Sequence, residues 1–117
     1  MTKILLVDDD PITKTLLQTL LEMEGFRVIP WELGTNVLET MHVVQPDIVV
    51  MDVNLNGLDG IEVLRDLRAA QEFQDVRVIM SSGMNYREEC EREGANDFLL
   101  KPYMPDDLIA TIRKNLS

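Results

Sequence analysis

The chain has 117 residues, 45% of them hydrophobic and 27% charged, with 11 Lys and Arg against 21 Asp and Glu for a net charge of −10. That length suits one domain with one core. The acidic balance argues against nucleic acid or an anionic membrane surface as a direct partner, because both demand basic patches, and no apolar run approaches the ~20 residues of a membrane span. A single cysteine, Cys90, permits no internal disulfide. The opening Met1-Thr-Lys-Ile-Leu-Leu-Val-Asp8 brings a charge too soon after its apolar run for a signal peptide, so a cytoplasmic location is expected. No repeat, low-complexity stretch or linker divides the chain, and residues 1–117 read as one domain.

Ile4-Leu5-Leu6-Val7 is a short continuous apolar run, the pattern of a strand buried on both faces. It ends in Asp8-Asp9-Asp10-Pro11, where Asp10 and Pro11 predict an N-cap followed by proline at the first helical position. Ile12, Leu16, Leu17, Leu20 and Leu21 keep helical spacing, and Gly25 stops that helix. Arg27 to Trp31 predicts a second strand, and Pro30 within it places the strand at a sheet edge, with Trp31 as an amphipathic edge residue. Val37, Leu38, Met41 and Val44 make a short helix closed by Pro46.

Ile48 to Met51 is a third buried-strand run, ending in the single carboxylate of Asp52. A turn with Asn54, Asn56 and Gly57 follows. Asp59, with Glu62 three residues on, signals the next helix, whose inward face is Ile61, Leu64 and Leu67. Val76 to Met80 is a fourth strand running into Ser81-Ser82-Gly83. Tyr86 to Glu93 is a short helix with almost no apolar stripe, expected to be the least stable of the set. Phe98-Leu99-Leu100 is a fifth strand ending in Lys101-Pro102. Pro105 opens a last helix that has Asp106 and Asp107 in its first turn and Leu108, Ile112 and Leu116 toward the core.

Strand–helix alternation of this kind means a parallel sheet with helices on both faces. A flavodoxin-like three-layer α/β sandwich of strand order 2-1-3-4-5 would set strands one and three side by side at the topological switch point. Asp8, Asp9 and Asp52 would then converge on one rim, with Ser82 and Lys101 at the ends of strands four and five. Crowded carboxylates either take up protons or gather around a cation. Oxygen ligands select a hard ion such as Mg2+. A carboxylate is also a competent nucleophile toward phosphorus, and phosphoryl transfer asks mainly for positioning and charge neutralisation. Lys101 would supply a point charge and Ser82 a hydroxyl.

With Asp8-Asp9, Asp52 followed by Gly60, Ser82, and Lys101-Pro102 at these spacings, the chain resembles the receiver domain of two-component response regulators, from about Lys3 to Leu116. The resemblance implies that Asp52 is the phosphoacceptor. It implies that Asp8, Asp9, Asp52 and the Asn54 backbone carbonyl hold Mg2+, and that Ser82 and Lys101 contact the phosphoryl group. Phe98 falls at the family's switch aromatic, with Ser82 its partner in switching, and Lys101-Pro102 at a cis peptide. Asn54 and Met84 flank the path of the hydrolytic water, and an apolar Met84 implies slow hydrolysis. The implied partners are a sensor histidine kinase or histidine phosphotransfer protein, and a downstream protein or C-terminal output domain. A homodimer through helices four and five is one arrangement it allows. Such a domain dephosphorylates itself but is not an enzyme on an outside substrate.

The chain departs from the family pattern in three places. Asn56 stands where proline is usual. Ser81 precedes Ser82, and strand alternation sends the two to opposite faces. The stretch from Ser82 to Gly94 is about three residues short, nearly one turn or roughly 5 Å of helix four. A competing reading takes Asp8 as the nucleophile of a small haloacid-dehalogenase-like phosphatase, since Asp8-Asp9-Asp10 also fits an Asp-x-Asp signature. Another takes the chain as a pseudo-receiver that only binds proteins, which its intact acidic set opposes.

Overall fold

A computed structural model of the protein describes residues 1–116. The main sheet has five parallel strands: β1 (Lys3–Val7), β2 (Arg27–Pro30), β3 (Ile48–Asp52), β4 (Arg77–Ser82) and β5 (Asp97–Leu100). Their order is β2-β1-β3-β4-β5, as the alternating pattern predicts. The helices are α1 (Pro11–Met23), α2 (Val37–Val44), α3 (Gly60–Ala69), α4 (Arg87–Arg92) and α5 (Pro105–Leu116). Side-chain alternation divides the core in two. Leu5, Val7, Val49 and Met51 pack under α2 and α3, while Ile4, Leu6, Ile48 and Val50 pack under α1 and α5. Both faces of β1 and β3 are covered, which is why those strands read as unbroken apolar runs.

Local signals place the helix starts. Asp10 caps α1, its carboxylate accepting from the Ile12 N–H at 3.2 Å and from Thr13 Oγ1 at 2.6 Å, with Pro11 first in the helix. Asn36 caps α2 through the Glu39 N–H at 3.0 Å, and Asp59 caps α3 through the Ile61 N–H at 2.9 Å. Pro30 ends the edge strand β2, where its missing N–H leaves no gap in the ladder.

Several expectations needed correction. Trp31 does follow the edge strand, but it is more buried than an amphipathic edge residue: it is 1% exposed, packs with Val37 and Met41, and donates its indole N–H to the Thr35 carbonyl at 3.1 Å. The loop into α2 folds over it. Of the apolar residues on α1, Leu17 and Leu21 are buried, whereas Ile12 is 79% exposed and Leu16 also faces solvent. Leu116 is 42% exposed, so the inward face of α5 consists of Leu108 and Ile112. The turn after β3 contains a two-stranded antiparallel ribbon, Asn54–Leu55 with Leu58–Asp59, that no periodicity announced.

The short α4 has six residues, and Cys90 is its buried one. Along the helix an exposed Arg87–Glu91 pair at 3.7 Å contributes little. The firmer ties run outward. Arg65 Nε and Nη2 reach the Glu93 carboxylate at 3.1 and 3.3 Å, Arg68 Nε donates to the Gly94 carbonyl at 2.9 Å, and Arg87 Nη2 donates to the Phe98 carbonyl at 2.9 Å.

Candidate functional site

Parallel register brings the chemistry to one rim. Val7 pairs with Met51 across β1 and β3, so the next residue on each strand, Asp8 and Asp52, emerges at the shared carboxyl end. Ser82 closes β4, and Lys101 follows β5, its N–H donating to the Ser82 carbonyl at 2.8 Å. This is the switch-point crevice of an open α/β sheet.

One oxygen each of Asp8, Asp9 and Asp52 lie within 4.8 Å of one another. Lys101 Nζ donates to Asp52 Oδ2 at 2.8 Å and stands 3.8 Å from Asp8 Oδ2. Backbone donors and the Asn54 amide fix the rest. Asp8 Oδ1 accepts from the Asp10 N–H at 2.9 Å, and Asp9 Oδ2 accepts from the Asn56 N–H at 2.8 Å. Ser82 is fully buried, and its Oγ accepts from Asn54 Nδ2 at 3.2 Å and from the Met84 N–H at 3.1 Å. Ser81, also buried, sits opposite Asp52 in the ladder and accepts from the Val53 N–H at 2.8 Å through its carbonyl. Of the two serines it is therefore the Ser82 hydroxyl that meets Asn54 on the rim.

Burial pushes the Asp8 carboxyl above its ordinary value, with Asp52 and Asp9 adding repulsion, against the opposing pull of the Asp10 N–H and Lys101. Burial works against the Lys101 cation, but Asp52, Asp8 and Asp9 outweigh it and hold its pKa above the usual lysine value. The Tyr103 phenol is pushed to about 12, by burial first and then by Asp8 and Asp52. A carboxyl whose pKa is raised on folding favours the protonated folded state, so its ionisation costs stability as pH rises through the folded value. Asp8→Asn is therefore expected to raise the Tm by a few degrees at neutral pH in EDTA. The gain should shrink as pH falls through the folded Asp8 pKa toward 3.8, as thermal melts across that range would register.

The donor set fits a hard divalent cation. It is all oxygen, it is anionic, two of its three carboxylates are buried, and it carries more negative charge than Lys101 alone can offset. Phe98 is buried, with the Arg87 guanidinium 5.7 Å from its ring centroid. Met84 is largely exposed at the rim, and its Sδ lies 3.7 Å from the Tyr86 hydroxyl. The Lys101-Pro102 peptide is cis. Cys90 is buried with its thiol pushed up to about 11, first by burial and then by Glu89, which suits an inert packing role. His42 is exposed on α2 beside Glu72, away from the rim.

Asn56 is the site residue whose part sequence reasoning missed. It registered there as a departure from proline, yet its backbone N–H holds Asp9, a bond that proline has no N–H to make. The residue type was the only available signal; a backbone contact to a residue 47 positions away leaves no pattern of its own.

The parallel sheet and acidic switch-point crevice define a class that comparison with known proteins names: residues 4–113 match the response regulator receiver domain family. The chain belongs to that family. It is 35% identical, over 95% of its length, to the alkaline phosphatase synthesis transcriptional regulatory protein PhoP of Bacillus subtilis, of which the match covers 47%. Among solved structures it is similar to the BeF3-activated N-terminal receiver domain of Klebsiella pneumoniae RstA, at TM-score 0.88 and 29% identity, covering 98% of each chain. It is also similar to the receiver domain of a Pseudomonas aeruginosa sensor histidine kinase described with magnesium coordinated in its active-site cleft, at TM-score 0.86 and 29% identity, covering 99% of this chain and 98% of that one. The chain spans about half the length of the curated relatives it matches. Those relatives are named as regulators and not as enzymes, which does not favour the phosphatase reading.

Proposed function

We propose that this receiver is a phosphorylatable switch in which Asp52 takes a phosphoryl group from a phospho-histidine of a sensor kinase or phosphotransfer protein. The carrying observation is the 2.8 Å contact between Lys101 Nζ and Asp52 Oδ2 inside an otherwise anionic crevice. One Asp52 oxygen attacks phosphorus, the phosphorus–nitrogen bond breaks, and its electron pair leaves with the imidazole. Asp8, Asp9, Asp52 and the Asn54 backbone carbonyl would hold Mg2+. When bound, Mg2+ supplies neutralisation of charge on the carboxylates and the phosphoryl oxygens. Lys101 keeps a fixed positive charge beside the acceptor, and the buried Ser82 hydroxyl offers a hydrogen bond to the group once it is in place.

The new charge biases a two-state surface, with the Ser82 hydroxyl donating to the bound group and Phe98 repacking behind it. Return to the resting state is by hydrolysis, with the exposed Met84 and Asn54 bordering the path of water. Transcriptional and DNA-binding regulators among the relatives are about twice as long, which supports an output domain or separate output protein as the listener. Among the described residues no helix is long and apolar enough to cross a membrane, in keeping with a cytoplasmic place in such a pathway.

Intact mass spectrometry after incubation with acetyl phosphate tests this reading. One phosphoryl group is expected with Mg2+, none without Mg2+, and none in Asp52→Ala. Uptake that persists in Asp52→Ala would overturn the assignment.

A further inference from the structure

Resting on Asp52 as the phosphoacceptor, we propose that the Asn54 side chain is a positioning residue for Ser82, aiming its hydroxyl proton at the group that Asp52 receives. A serine hydroxyl has two acceptor lone pairs and one proton to give. Both acceptor positions on Ser82 Oγ are filled, by Asn54 Nδ2 at 3.2 Å and by the Met84 N–H at 3.1 Å. Each of those partners donates, so neither uses the serine's proton. Ser82 is fully buried, so its hydroxyl is shielded from bulk solvent.

Asn54 is well placed for this, because it is bound to the acceptor as well. It lies two residues beyond Asp52, and its backbone N–H points at Asp52 Oδ1 at 3.4 Å. The ribbon pairing with Asp59 fixes its backbone, and Asp59 in turn caps α3. The side chain thus links the β3 and β4 ends of the crevice from a rigid base. Such a hydroxyl enters the reaction already oriented, so little is lost in ordering it when an anionic oxygen arrives. Removing the amide frees the hydroxyl to rotate and donate elsewhere.

This role differs from any effect of Asn54 on attacking water, which changes how fast a phosphoryl group leaves and not how tightly a non-hydrolysable mimic binds. The test is a double-mutant cycle on beryllium fluoride affinity at saturating Mg2+, read by 19F NMR and calorimetry, in wild type, Asn54→Ala, Ser82→Ala and the double variant. Asn54→Ala is expected to weaken binding about fivefold to tenfold in the wild-type background, in line with one hydrogen bond, and by less than twofold when Ser82 is already alanine. Asn54→Leu, similar in size without a donor, should behave as Asn54→Ala does. Equal losses in both backgrounds, no loss, or tighter binding in Asn54→Ala would overturn the proposal and leave Asp52 as acceptor. Wild type that binds no beryllium fluoride, while Asp52→Ala still takes up phosphoryl groups, would overturn both.

Discussion

Replacing Lys101 with methionine is expected to lower the stability of the metal-free protein by about 2 kcal/mol and to tighten Mg2+ binding roughly tenfold. The stem is conserved in size and only the ammonium is lost. That ammonium is the one cation within 4 Å of the clustered carboxylates among the described residues. Breaking a buried ion pair costs about 3–5 kcal/mol; with roughly a third of the Lys101 side chain reached by solvent, the smaller figure applies. Mg2+ then meets a site with no competing positive charge, and it should restore most of the lost stability. The pH dependence has a definite sign. Lys101 gains its partners on folding and its pKa rises, so its contribution is fully present below the ordinary value of 10.5 and is lost as pH rises through the folded value. Thermal melts of both proteins, in EDTA and in Mg2+, should therefore differ at neutral pH in EDTA and converge in strong base. Equal stability in EDTA would mean that the crevice is solvated too well for Lys101 to matter.

Gly60→Ala is expected to cost more, because the obstacle is backbone. A Cβ at Gly60 would overlap the Asp52 carbonyl oxygen and stand 2.9 Å from Val53 Cα and 3.0 Å from the Val53 carbonyl oxygen. None of these atoms can rotate away. The same approach lets the Gly60 N–H donate to the Val53 carbonyl at 2.7 Å, which ties the start of α3 to the end of β3. Overpacking of this kind costs about 1–3 kcal/mol, and a loss near the upper end lowers the Tm by roughly 10 °C. Any backbone shift that relieves the clash moves Asp52, so phosphoryl uptake should fall along with stability. A Gly60→Ala protein with unchanged Tm and uptake would show that the contact is relieved at no cost.

The strand ends were legible because three physical signals coincide there. Ile4–Val7 and Ile48–Met51 are apolar on every residue, so burial on both faces could be read directly, and the first charge after each marks where the chain leaves the sheet. Pro30 marked an edge by what it cannot donate. Asp10 marked a helix start by what it accepts. The full burial of Trp31 was not legible because its covering segment, Leu33 to Asn36, is short and carries a single large apolar residue, and only its folded path brings it onto the indole. The apolar spacing of α1 overstated its buried face, since spacing reports which residues share a side and not how much of that side the sheet covers. Ile12 and Leu16 lie beyond that cover. The ribbon after β3 has two residues in each strand, too few for a period of two to be seen.

Within the site, side-chain identity announced the carboxylates, the lysine and the serine. Most of the restraints on them were illegible because they come from backbone N–H groups, which every residue but proline has. Asn56 on Asp9, Asp10 on Asp8 and Met84 on Ser82 are all of this type. Arg65, Arg68 and Arg87 were equally silent in sequence, yet they tie the short α4 and its flanking loops to α3 and β5.

The most direct test of the account is to locate the acyl phosphate itself. The protein would be phosphorylated with acetyl phosphate and Mg2+, reduced with borohydride to convert the phosphorylated aspartate to homoserine, and mapped by peptide mass spectrometry. The account predicts homoserine at position 52 and nowhere else. Homoserine at position 8, or protein that carries phosphoryl groups with residue 52 unmodified, would contradict it.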